Sequence, residues 1–218
     1  MIINPYIFGA PDPAANEYGY LYNWYAASDA NFAPTDWKVP TATEFQTLSD
    51  YLSGDLVSGG HLKEAGLTHW NTPNTGADNS SGFTALGSGY RNAVDGVFYD
   101  IKNYSFIWCS NIYDTTGTQY FYLDYSSASG SVQITYDLTM GFSSRLLYTG
   151  AGTPATVTDY DGNVYDTVVI GTQRFTVQNF KCLHYNNGTE IPIVENGTTW
   201  AGLTSGAACA YNNDYSLV

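Results

Sequence analysis

Residues 97–148 read VFYDIKNYSFIWCSNIYDTTGTQYFYLDYSSASGSVQITYDLTMGFSSRLLY. Aromatic and β-branched residues crowd this stretch, and Ser, Gly, Asp and Asn interrupt it at short intervals. That is the pattern of successive strands joined by turns. FYDIK, YSFIWCS, TQYFYLDYSS, SVQITYDLTM and GFSSRLLY are the expected strands, with Ser127–Gly130 as a hairpin turn. Side chains alternate across a strand, so Tyr120, Tyr122 and Asp124 should share one face, and Phe121, Leu123 and Tyr125 the other.

Working outward, the clearest helix lies upstream. Thr41 is a good N-cap and Glu44, three residues on, completes a capping box. Phe45, Leu48 and Leu52 follow at helical spacing and should face a core, with Gly54 as the stop. A second short helix is expected over Gly60–Ala65, ended by Gly66. Residues 66–90 are dominated by Thr, Asn, Gly, Asp and Ser and predict a long structured loop pinned by Trp70 and Phe83. Tyr18–Ala26 reads as a strand and Asn31–Pro40 as a loop. Residues 1–17, with Pro5, Pro11 and Pro13, read as an extended arm that attaches to a neighbouring subunit. Downstream, residues 149–156 form a Gly/Thr/Pro-rich linker. Asp159–Val169 predicts a hairpin turning at Asp161-Gly162, Gln173–Phe180 a short strand, and Thr198–Leu203 one helical turn.

The chain has 218 residues and a formal charge of −13, with only seven Lys and Arg against twenty Asp and Glu. This charge argues against nucleic acid or an anionic membrane as partner, since both need a basic patch. Apolar residues make up 44% of the chain, enough for a sizeable core, and no run is long enough to span a bilayer. The first nineteen residues lack the basic and apolar regions of a secretory signal. Twenty tyrosines are unusual. Tyrosine is a good strand residue, and it also offers rigid amphipathic contact area to a ligand.

Catalytic and metal signatures are missing from the pattern. His61, His69 and His184 are scattered, and no HExxH, GxSxG, P-loop or dinucleotide fingerprint occurs. Cys109, Cys182 and Cys209 form no CxxC. Buried free thiols are expected, with Cys182–Cys209 as the one plausible pair. Asp159-x-Asp161-Gly162-Asn163 superficially resembles a calcium loop but lacks the remaining ligands, and a hairpin turn explains it without metal. Asn212–Asp214 and the Asn74, Asp78, Asn79 group are the other oxygen-rich clusters, so no cofactor is expected and a structural calcium is the alternative. The expected ligand surface is aromatic: Tyr113, Tyr120, Tyr122, Tyr125 and Tyr136, where sugar rings could stack. The competing reading has these tyrosines filling the core or subunit contacts.

Several longer runs carry a resemblance. YGYLYNWYAA, APTDWKVPTATEFQTLSDYL and SGFTALGSGYRN in residues 18–92, and DYDGNVYDTVVIGTQRFTVQNFKCLHYNNGTEIP opening residues 159–214, resemble the Fibrobacter succinogenes major paralogous domain. In that family the DGNVY half precedes the YGYLYNWY half; here the order is reversed, as in a circular permutant. The resemblance implies an α+β, C-type-lectin-like fold: a twisted antiparallel sheet, one or two helices and long loops. Residues 18–148 would be its main segment, and residues 157–218 would complete it in cis or by swapping into a homo-oligomer. It further implies a non-enzymatic surface module. The opening INPYIFGA is similar to the start of many phage virion proteins. The expected role is therefore a virion surface protein, a fibre or tail receptor-binding module or capsid decoration. It would bind other virion subunits through its arm and a host glycan or protein through its loops. A purely structural virion protein and a bacterial cell-surface adhesin are the alternatives.

Overall fold

A computed structural model describes residues 18–218; the arm expected over residues 1–17 lies outside the described residues. The elements are β1 (Leu21–Tyr22), α1 (Trp24–Ala27), β2 (Trp37–Lys38), α2 (Ala42–Tyr51), α3 (Asp55–Leu62), β3 (Ser88–Arg91), β4 (Phe98–Ile101) and β5 (Tyr104–Ile112). They continue with β6 (Thr118–Asp124), β7 (Gly130–Thr135), β8 (Leu147–Tyr148), β9 (Thr156–Thr158), β10 (Val164–Ile170), β11 (Gln173–Thr176), α4 (Gly197–Ala201) and β12 (Ala208–Cys209).

The strand expected over Tyr18–Ala26 shrinks to β1 because Asn23 caps a helical turn. Its Oδ1 accepts from the N–H groups of Ala26 (3.1 Å) and Ala207 (3.0 Å), and its Nδ2 donates to the Ser205 carbonyl (2.8 Å). The capping box of α2 forms as its sequence implies: Thr41 Oγ1 accepts from the Glu44 N–H, and the Glu44 carboxylate accepts from the Thr41 N–H at 2.8 Å. Helix α3 starts at Asp55, five residues before the expected Gly60, because Gly54 serves as its N-cap rather than as the end of α2. Two glycines of α3 explain how closely it packs. A Cβ on Gly59 would sit 2.1 Å from the Ser129 carbonyl oxygen, and one on Gly60 would sit 2.4 Å from that of Gly76.

The architecture is α+β and β-rich. Two five-stranded sheets run in the orders β4-β3-β5-β6-β7 and β2-β8-β11-β10-β9, with β1-β12 as a separate ladder, where the sequence suggested a single sheet. Pairings are antiparallel except β3–β5, which meet in parallel at Gly89 and Ser105. The β6–β7 hairpin turns over 125–129, and β9–β10 turn around Asp161-Gly162.

One core cluster lies between α2 and the inner face of β5–β6. Phe45 stacks on Phe121 at 4.8 Å, beside Leu48, Ile107, Cys109, Leu123 and Phe175. Trp70 and Phe83 are buried here and anchor the long loop as expected, with Trp70 Nε1 donating to the Ala85 carbonyl at 2.9 Å. A second cluster joins distant parts of the chain: Tyr22, Phe32, Trp108 and Phe142 pack with Tyr165, Phe180, Cys182 and Ile191. Trp108 Nε1 donates to the Tyr22 carbonyl (2.7 Å), and Tyr22 Oη to that of Cys182 (2.8 Å). Residues from 157 onward thus share a core with the 18–148 segment.

Three of the seven cations are wholly buried, and each donates to main-chain carbonyls. Arg91 reaches Gly96 (2.9 Å), Val194 (2.5 Å) and Glu195 (2.6 Å), between the rings of Phe98 and Trp200. Arg145 reaches Phe83 (2.8 Å), Thr84 (2.9 Å), Thr176 (3.0 Å) and Val177, with Nε on Asn179 Oδ1 (2.6 Å). Lys63 reaches Thr75 (3.0 Å), Asp124 (2.8 Å) and Ser127 (2.7 Å). Interior cations need such partners, and carbonyls of irregular segments need donors.

Candidate functional site: an aromatic sheet face

The register of β5 on β6 decides which aromatics meet. Tyr104 lies opposite Asp124, Phe106 opposite Tyr122, and Trp108 opposite Tyr120. On the next ladder Tyr122 faces Ser131 and Tyr120 faces Gln133. On the other side Tyr90 of β3 pairs with Tyr99 of β4. The rings form one connected layer with Phe106 at its centre. Phe106 lies 5.0 Å from Tyr90, 5.4 Å from Tyr122 and 5.6 Å from Tyr120, while Tyr104 lies 5.5 Å from Tyr122 and Tyr90 5.6 Å from Tyr99. Phe142 stacks on Phe106 at 5.0 Å and closes the Trp108 end. The tyrosines remain partly open to solvent, Tyr99 the most at 38%.

Carboxylates rim this layer. Tyr99 Oη donates to Asp95 at 2.9 Å. Asp124 accepts from the N–H and hydroxyl of Ser126, which shapes the turn after β6. The Lys63 ammonium holds the carbonyls on either side of that turn, and burial pushes its pKa down to about 8 against the opposing pull of Asp124. Burial, with the nearby charges of Asp124 and Asp100, raises the Tyr104 and Tyr122 phenols above their ordinary value. Burial and Asp100 do the same to Tyr90.

The five tyrosines singled out in the sequence do not converge. Tyr120 and Tyr122 belong to the layer, and Tyr125 touches its edge, 6.3 Å from Tyr104. Tyr113 and Tyr136 lie at the opposite end of the β5–β6 hairpin, 53% and 59% exposed, where Tyr136 Oη donates to Asp114 at 3.4 Å. The nine residues of β5 separate Tyr125 from Tyr113 and Tyr136, roughly 25–30 Å, too far for one small ligand to touch all five. Tyr90, Tyr99, Tyr104 and Phe106 escaped the sequence reading. The alternation of Tyr104, Phe106 and Trp108 with Ser105, Ile107 and Cys109 was the available signal.

The other candidates are mostly engaged within the protein, although Asn74 Oδ1 and Asn213 Oδ1 are buried without a hydrogen-bond partner. Asp159 accepts from the N–H groups of Asp161 (3.0 Å) and Asn163 (2.9 Å), from Asn163 Nδ2 (2.9 Å) and from Tyr165 Oη (2.5 Å), so its oxygens organise a turn. Asn74 Nδ2 donates to the carbonyls of Glu64 and Gly66, Asn79 bonds Thr84, and Asp214 accepts from Ser216. Among the described residues no group of three His, Cys, Asp or Glu could hold a metal ion. All three cysteines are free and buried, and burial pushes the Cys182 and Cys209 thiols up to about 12. Each histidine meets a carboxylate that its sequence neighbourhood did not reveal: His61 with Asp78 (3.0 Å), His69 with Glu64 (2.9 Å) and His184 with Asp161 (2.5 Å). A shallow pocket of about 280 Å³ between α2 and the β10–β11 turn is lined by Thr47, Tyr51, Ile170, Gly171, Thr172 and Gln173, with no acid–base pair.

The family model described as Fibrobacter succinogenes major domain matches residues 3–146. The match takes in the whole aromatic layer and ends before residues 157–214, the stretch read as the displaced half. No curated protein and no solved structure matches the chain.

Proposed function

This chain belongs to the Fibrobacter succinogenes major domain family, and from that premise we propose that it is a non-enzymatic surface-recognition module whose aromatic layer binds a host glycan. One observation carries the reading: Tyr90, Tyr99, Tyr104, Tyr120 and Tyr122 form a partly exposed sheet face with polar rims, joined by the buried ring of Phe106. Pyranose rings present C–H faces that such a surface can stack, and hydroxyls that phenols and carboxylates can bond. In this reading the module sits on a virion surface, as a fibre or tail receptor-binding element or a capsid decoration, attached through residues 1–17. A bacterial cell surface is the alternative location. The fold is taken to be C-type-lectin-like, supported by the α2–α3 pair, the long loop between α3 and β3, and the antiparallel β5–β6–β7 ladder. Residues 157–218 complete the same domain in cis, supported by the mixed core around Tyr22 and Phe180.

The test is glycan-array binding of the wild type and of Tyr104→Ala/Tyr122→Ala, both checked for unchanged thermal unfolding. Wild-type binding lost in the variant supports the reading; binding that survives in full places recognition elsewhere. A second reading, purely structural, is favoured by the edge strand β4 and the turn before it, where Tyr99 (38%), Val97 (48%) and Val94 (79%) stay exposed. Light scattering that finds an oligomer, dissociated by Tyr99→Ala and blind to every glycan, would favour it.

A further inference from the structure

Burial of Lys63, Arg91 and Arg145 removes three of seven cations from the surface of a chain already at −13. Lys38 pairs with Glu44 at 2.7 Å, and Arg174 donates to the Pro154 carbonyl and Thr167 hydroxyl. The sheet that carries the aromatic layer, residues 88–135, holds Asp95, Asp100, Asp114 and Asp124 against one solvent-accessible cation, Lys102 in the β4–β5 turn. Asp95, Asp100 and Asp124 form no ion pair among the described residues, although the buried Lys63 ammonium on the Asp124 carbonyl offsets part of the Asp124 charge. Their hydrogen bonds are to the neutral groups of Val97 and Tyr99, of Asn103, and of Ser126. Aromatic faces attract cations through the ring quadrupole, and unpaired carboxylates at the rim add to that field. An anionic saccharide would meet repulsion with no arginine to neutralise it.

We propose that the aromatic layer selects a saccharide bearing a protonated amine, an unacetylated amino sugar, over its neutral and anionic counterparts. This rests on the glycan-binding reading. The sugar ring stacks over Tyr104 and Tyr122, which cover the buried Phe106, and its ammonium lies toward Asp100 and Asp124. Net acidity by itself would repel anions, but the position of the carboxylates beside the rings makes the preference local and removable.

The test is calorimetric titration with a β-1,4-linked glucosamine oligomer, the same oligomer fully N-acetylated, and a carboxylated oligosaccharide of equal length. It is run at a pH where the amine is protonated. The expected result is at least tenfold tighter binding of the amine form than the acetylated form, weakened by salt, with no binding of the carboxylated one. Asp100→Asn/Asp124→Asn, verified by unchanged unfolding, should bring the first two within about threefold of each other. Tyr104→Ala should weaken both. Equal or tighter binding of the acetylated oligomer overturns the amine preference while leaving the glycan surface standing. A preference that survives the double Asp variant overturns it as well. Failure of both glucosamine oligomers to bind overturns this inference, and binding of either that is indifferent to Tyr104→Ala sinks the glycan surface itself.

Discussion

Replacing Arg91 by alanine should detach the C-terminal segment from the rest of the domain. The guanidinium is fully buried and donates to Gly96, Val194 and Glu195 at 2.9, 2.5 and 2.6 Å. It also lies 4.8 Å from the Phe98 ring and 4.5 Å from the Trp200 ring. Hydrogen bonds to a charged donor contribute about 1.5–3 kcal/mol each. Glu195 is exposed, so its carbonyl can recover water; the Gly96 carbonyl cannot, and that of Val194 only in part. Recovered desolvation of the cation offsets part of the loss, leaving about 3–5 kcal/mol. That is a fifth or more of the roughly 5–15 kcal/mol typical of a domain. Arg91→Lys keeps the charge but not the fork that spans three acceptors, and should cost about 2 kcal/mol. Urea unfolding measures both values, and amide exchange across residues 192–214 should accelerate first in the alanine variant. A loss below about 1 kcal/mol, with exchange there unchanged, would refute the claim that this cation ties the segment to β3.

Other consequences can be measured separately. Tyr22 and Tyr165 have phenols raised well above their ordinary value, mainly by burial. A raised folded-state pKa gives stability that is intact below the unfolded value near pH 10 and lost as pH rises beyond it, so alkaline unfolding should coincide with a cooperative rise in tyrosinate absorbance. Lys63 behaves oppositely, because its folded-state pKa is lowered to about 8. The unfolded chain then binds more protons above that pH, and stability should climb by about 2 kcal/mol between pH 8 and about pH 9.5. Lys63→Met should lack that climb, and a parallel pH profile for the two proteins would contradict the assignment. Gly59→Ala forces a Cβ against the Ser129 carbonyl and should lower stability by about 2–3 kcal/mol in a denaturant titration, whereas Gly162→Ala, with open space around it, is limited to its backbone strain of about 1 kcal/mol.

Local rules in the sequence were enough for the capping box at Thr41–Glu44, the turn at Asp161-Gly162, the alternation on β6 and the anchoring of the long loop by Trp70 and Phe83. Each depends on residues a few positions apart, or on burial of a large apolar side chain. The same rules misplaced the start of α3 and read α1 as strand. Asn23 is held there by Ser205 and Ala207, and no short window contains those partners. The candidate site divides the same way. Tyr120 and Tyr122 were legible from period-two alternation. The addition of Tyr90, Tyr99, Tyr104 and Phe106, and the separation of Tyr113 and Tyr136, came from strand register. The charge pattern belongs wholly to the tertiary structure: composition counts seven cations, but only folding decides which three are drawn inside to satisfy carbonyls. Sequence by itself therefore determined the local elements and the acidic, tyrosine-rich character. The tertiary structure decided which rings meet and which charges stay at the surface, because hydrogen bonds and packing between residues as far apart as Arg91 and Glu195 have no local signature.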